Sequence, residues 1–163
     1  MNQPAASWVE RLGLQPHPEG GYFRRIFTDA RTVATPGDER AAASSIHYLL
    51  DTASPQGRLH RNRSRILHYL QHGGPVRYWL LTADGVLTST TLGVAAGEAL
   101  FLDVPGGVWK ASELVDGADH ALVSEVVLPG FDYADHEFMS LSQLAGDHAA
   151  HLPTLRHLVR PAD

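Results

Sequence analysis

Cysteine is missing altogether from these 163 residues, which rules out a disulfide framework, a thiolate metal site and a cysteine nucleophile. Long apolar runs are missing too. No stretch approaches the ~18 apolar residues of a spanning helix, and Met1 to Trp8 lacks the basic segment and apolar run of an export signal. A soluble cytoplasmic protein with no membrane partner is therefore expected. Positive charge is in deficit: 13 Lys and Arg stand against 18 Asp and Glu, a formal net charge of −5. Binding to nucleic acid needs a basic stripe that displaces counterions from phosphates, so that partner is excluded. Internal repeats and low-complexity tracts are absent.

Apolar residues make up 44% and charged residues 19%, the composition of an ordinary globular chain. One domain spanning 1–163 is expected. The stretch from Gly57 to Trp109 dominates it, with short apolar runs separated by Gly-Gly, Asp-Gly and Pro-Gly-Gly. Glycine supplies the positive φ of hairpin turns, so this pattern reads as successive strands of one β-wall. Strands are predicted at 44–50, 65–72, 76–82, 86–92, 99–104, 107–113 and 121–128, with another over Tyr22 to Phe27. Spacings near ten residues favour a sandwich or barrel over alternating β-α units.

Ser7 is the expected N-cap of a short helix carrying Trp8, Val9 and Leu12 on one face and stopping at Gly13. Residues 32–40 read as a flexible surface loop. After Pro129-Gly130-Phe131 the character changes: 140–150 and 153–159 suit short helices packed outside the barrel. The expected layout is a barrel over about 20–133 and a helical segment over about 139–160. His47 reads as structural, and His148, His151 and His157 read as exposed histidines rather than zinc ligands.

The chemistry turns on His60. His60-Arg61-Asn62, the spacing from there to Ile66 and Gly73, and Pro105-Gly106-Gly107-Val108-Trp109-Lys110 resemble in spacing the two sequence motifs of the cupin superfamily. Those motifs supply three histidines and a glutamate to a metal. Here His60 alone remains, with Asn62, Ile66 and Lys110 at the other positions. Isoleucine has no donor atom and a protonated lysine repels a cation, so no metal and no cofactor is expected. His68, on the same strand face as Ile66, is the residue from which part of a metal site could be rebuilt.

Pro16-His17-Pro18-Glu19-Gly20-Gly21-Tyr22-Phe23, Ser45-Ile46-His47-Tyr48-Leu49-Leu50, His60-Arg61-Asn62, Val104-Pro105-Gly106-Gly107-Val108-Trp109-Lys110 and Leu128-Pro129-Gly130-Phe131-Asp132-Tyr133 together resemble the cupin family catalogued as domain of unknown function 985. The resemblance implies an all-β double-stranded β-helix, or jelly roll, with a ligand pocket inside and commonly a homodimer. It also implies a structural kinship to deoxysugar-nucleotide epimerases and seed storage proteins. A small-molecule ligand is thus expected, with His60, His68 and Lys110 as candidate catalytic groups. Arg24, Asn62, Ser64, Tyr78, Trp109, Ser112 and Glu125 are the candidate ligand-binding residues. Proton abstraction beside a carbonyl needs a base, His60 or His68, and a cation for the enolate, Lys110. The expected function is a metal-independent isomerase or epimerase on a sugar-like or carbonyl compound; the alternative is a non-catalytic ligand-binding protein.

Overall fold

The computed structural model describes residues 4–162. Helix α1 (Ala5–Leu12) is capped by Pro4 rather than by Ser7, which lies inside the first turn. Proline serves because its missing N–H is one that a first turn leaves unbonded. Gly13 ends the helix at φ +61, as expected of a left-handed cap.

The strands are β1 (Gln15–Pro16), β2 (Tyr22–Thr28), β3 (Thr32–Thr35), β4 (Asp38–Ala41), β5 (Ser44–Asp51), β6 (Gln56–Asn62), β7 (Arg65–Gly73), β8 (Val76–Leu81), β9 (Leu87–Leu92), β10 (Phe101–Val104), β11 (Trp109–Leu114), β12 (His120–Leu128) and β13 (His136–Phe138). Helices α2 (Leu141–Asp147) and α3 (Leu152–Leu155) follow. Two antiparallel sheets face each other, in the orders β1-β2-β5-β12-β7-β10 and β13-β6-β11-β8-β9. The jelly-roll expectation suits this arrangement, but the sheets are not closed into a barrel: each keeps its own edges.

Three local expectations change. The 32–40 loop is a hairpin of β3 and β4, whose short, polar strands carry no apolar period to betray them. Strands β10 and β11 start at Phe101 and Trp109, two residues later than predicted, because Gly106 and Gly107 are spent on the turn before β11. Strand β13, only three residues long, is unforeseen.

Alternation along the strands divides the apolar residues between three sites. Between the sheets, Tyr48, Leu50, Val76, Tyr78, Leu92, Leu102 and Val123 form the inner core. On the outer face of the second sheet, Leu59, Leu81 and Trp109 pack against Leu144, Leu155 and Leu158 of the C-terminal helices. On the outer face of the first, α1 lays Trp8, Val9 and Leu12 over Leu49 and Leu122. No helix among the described residues is long and apolar enough to cross a membrane.

Candidate functional site

Register brings the chemistry inward. On β6 and β11, His60 pairs directly with Lys110, while on β7 and β12 His68 pairs with Glu125. These two pairs sit on the facing sides of the two sheets. Lys110 reaches across the gap, its Nζ 2.7 Å from His68 Nε2 and 3.5 Å from Glu125 Oε1. His68 donates from Nδ1 to the Leu102 carbonyl at 3.3 Å, so its Nε2 accepts from the ammonium. Burial, then the Lys110 charge, hold the His68 pKa well below that of a free imidazole. Burial raises the pKa of Glu125; Lys110 works against that rise and Glu19 adds to it.

Beside this cluster lies a cavity of about 230 Å³, walled by Phe23, Ile46, Ile66, Val127, Phe131 and Tyr133. Its polar members are His17, Glu19, Arg25, His60, Asn62 and Glu125. A larger, shallower groove of about 420 Å³ runs outside, along 138–141 and 156–162. Among the described residues its charged members are Arg156 and Arg160, both basic.

Glu19 enters the cavity from the loop between β1 and β2. Gly20 and Gly21 make this possible at φ +98 and +69, since a Cβ on Gly21 would stand 2.6 Å from the Leu49 carbonyl oxygen. The loop is pinned by Tyr48, whose hydroxyl donates to the Gly20 carbonyl at 2.8 Å, and by Arg58, whose N–H donates to the Glu19 carbonyl at 2.7 Å. The Glu19 amide donates to His17 Nδ1 at 3.0 Å. His136, on β13 opposite Asn62, donates from Nε2 to Glu19 Oε1 at 3.0 Å. Its ring stacks on His60 with centroids 5.1 Å apart.

His60 donates from Nδ1 to the Arg58 carbonyl at 2.6 Å and turns Nε2 toward Glu19 Oε1, 3.2 Å away. Distance alone would suit an ion pair, but among the described residues Nε2 meets no partner in hydrogen-bond geometry. Burial pushes the His60 pKa down to about 4, Glu19 and the Arg58 carbonyl opposing it without prevailing. For Glu19, burial acts to raise the pKa, yet His60, the His136 hydrogen bond, His17 and Lys110 together hold it well below the usual carboxylate range.

Of the residues expected at the site, His60, Asn62 and Glu125 line the cavity. Lys110 and Ser64 face a small hollow behind His60, and His68 is fully buried beneath. Two expectations are corrected by strand parity. Arg24 points outward and donates to the Leu12 carbonyl at 3.2 Å; its neighbour Arg25 is the one at the cavity. Trp109 lies under the C-terminal helices on the outer face, with Arg61 4.4 Å from its ring. Tyr78 belongs to the inner core and Ser112 is buried opposite it on β11, and neither lines the cavity. His17, Glu19, Arg25 and His136 were missed as site residues. Only the Pro-His-Pro-Glu-Gly-Gly run pointed to the first two.

Facing antiparallel sheets, with a polar pocket between them and short helices outside, define a cupin. The chain belongs to the cupin superfamily family DUF985, whose model matches residues 6–139. It is 37% identical to the uncharacterized protein YML079W of Saccharomyces cerevisiae, over 99% of this chain and 84% of that one. A hypothetical protein from Leishmania major superposes with a TM-score of 0.91 at 32% identity, covering 98% of this chain and all of that one. Oxalate decarboxylase from Bacillus subtilis shares the fold, with a TM-score of 0.55 at 18% identity over 86% of this chain and 36% of its own. The positions that cupin motifs reserve for metal ligands do not fit a metal here: Ile66 has no donor, and the Lys110 ammonium occupies His68 Nε2.

Proposed function

We propose that this chain binds a small polar organic molecule in the cavity between its sheets and moves a proton on it, as an isomerase or epimerase of sugar-like or carbonyl compounds does. Glu125 is the proton-transfer group in this reading. The single observation that carries it is a buried carboxylate in the cavity wall with a raised pKa and an ammonium 3.5 Å behind it. Such a group takes a proton more readily than an ordinary carboxylate, and Lys110 steadies the ionised form. Arg25, whose hydrogen-bond partner among the described residues is the Phe131 carbonyl at 3.4 Å, is available to an anionic group on the ligand. Phe131 and Tyr133 offer ring faces.

The test is solvent exchange. In D2O, a panel of sugar-like and α-hydroxycarbonyl compounds is followed by proton NMR, and native mass spectrometry identifies any retained ligand. Wild type should catalyse exchange at one carbon and Glu125→Gln should abolish it; undiminished exchange in the variant would remove Glu125. A second reading, ligand capture without chemistry, is favoured by one observation: His68 and Lys110 turn toward each other instead of into the cavity. A retained ligand with no exchange in wild type would decide for it.

A homodimer belongs to the same proposal. Ile26, Phe27, Tyr69 and Phe101 are exposed on the first sheet, Tyr69 and Phe101 with ring centroids 5.2 Å apart, an apolar surface that a second copy would cover. Sedimentation should give twice 17.7 kDa; a monomer at micromolar concentration would reject the dimer.

A further inference from the structure

Three side chains from distant parts of the chain meet at one point of the cavity. Glu19 Oε1 stands 3.0 Å from His136 Nε2 and 3.2 Å from His60 Nε2, and all three ligand atoms lie within 4.8 Å of one another. The first contact is a hydrogen bond. The second brings together two acceptors, because His60 carries its proton on Nδ1, where it is donated to the Arg58 carbonyl, and leaves a lone pair on Nε2. His60 is only 2% exposed, and its Nε2 has no hydrogen-bond partner among the described residues. Asn62 Oδ1, in the same cavity, is likewise buried and unpartnered among them. A buried acceptor is disfavoured unless a donor or a cation stands beside it, and this cavity holds two.

We propose that Glu19, His60 and His136 bind a divalent transition-metal ion. Two imidazole nitrogens and one carboxylate oxygen suit Zn²⁺, Fe²⁺, Co²⁺ or Ni²⁺, whereas Mg²⁺ and Ca²⁺ take oxygen donors. Around an ion with bonds of about 2.1 Å, donors stand about 3.0 Å apart at octahedral angles and about 3.4 Å apart at tetrahedral ones, and the two separations of 3.0 and 3.2 Å lie in that range. The Nδ1–H of His60 donated to a backbone carbonyl is the support that metal-bound imidazoles usually carry. His136 needs only to shift its proton to Nδ1. The rest of the coordination sphere would open on the cavity, where Asn62 Oδ1 can accept from water on the ion.

This goes beyond the proton-transfer reading, since Glu125 is not among the ligands and either proposal can fail alone. The experiment uses the whole chain, stripped with chelator and titrated with Zn²⁺ and Co²⁺, with bound metal measured by elemental analysis. Wild type should take up about one ion per chain, give visible Co²⁺ bands and melt at a higher temperature once loaded. His136→Ala alters a half-buried edge-strand residue and should keep the fold while losing at least ~100-fold in affinity; Glu19→Gln should do the same. Glu125→Gln should keep the ion. Binding no tighter in wild type than in His136→Ala would overturn the proposal, as would a His60 nitrogen NMR signature of an imidazolium in the metal-treated protein.

Discussion

His60 and His68 are prepared alike and answered differently. Each is buried, each donates from Nδ1 to a backbone carbonyl, and each therefore offers a lone pair on Nε2. At His68 the lone pair meets the Lys110 ammonium at 2.7 Å. At His60 it meets a carboxylate oxygen at 3.2 Å, outside hydrogen-bond geometry. At His68 the interior supplies its own cation, whereas His60 Nε2 faces a carboxylate oxygen whose hydrogen bond comes from His136. Lys110 stands where a metal-binding histidine would fall in the cupin motif. The positive charge at that place is thus covalently part of the chain, and the proposed ion site lies instead on the Glu19 side.

Breaking the self-sufficient half should have the largest effect. Lys110→Met leaves Glu125 and His68 buried without their ammonium, and loss of one partner from a buried pair costs about 3–5 kcal/mol. Urea unfolding should show that loss, and Glu125→Gln added to Lys110→Met should recover a good part of it, as expected for coupled neighbours. Acid should act next, on the metal-free protein. The folded His60 pKa of about 4 lies below the unfolded value near 6.5, so between those values the unfolded chain holds more protons. Stability therefore rises with pH across that window and falls on acidification, by up to about 1.4 kcal/mol per pH unit for each such histidine. Urea melts at pH 7, 6 and 5 should show a slope that His60→Gln makes shallower.

Glu19→Gln sharpens the contrast by supplying the absent donor. A side-chain amide can donate to His60 Nε2 while still accepting from His136, but it gives up the negative charge that His60, His136, His17 and Lys110 favour, so metal-free protein should change by no more than about 1 kcal/mol in thermal unfolding. A loss of several kcal/mol would instead mean that His60 and Glu19 form a true ion pair. The smallest effect belongs to Arg24→Ala: this exposed residue should change stability by no more than about 0.5 kcal/mol and leave ligand retention untouched, whereas Arg25→Ala should weaken retention of an anionic ligand.

Much of the fold was legible because strands with one buried face alternate. Residues 44–50 and 121–128 were placed nearly to the residue, and Lys110 and Ser112 were correctly put on one face. What parity alone leaves open is which face is inner. That ambiguity placed Arg24 and Trp109 at the pocket when Arg25 and Lys110 hold the inward positions. Barrel closure was beyond the strand pattern, since nothing in a strand's own residues fixes whether its sheet has an edge. The polar β3–β4 hairpin and three-residue β13 lack enough repeats for a period to show. His136 was missed for the same reason, as it owes its place to pairing with Asn62.

The hydrogen bond from His136 to Glu19 joins positions 117 residues apart. Closing so long a loop costs entropy that no local structure repays in advance, so the contact belongs to the late stages of folding. Late contacts leave the folding rate nearly alone and set how fast the native state comes apart. This one bond, on a three-residue edge strand, therefore acts as a latch on the lifetime of the native state.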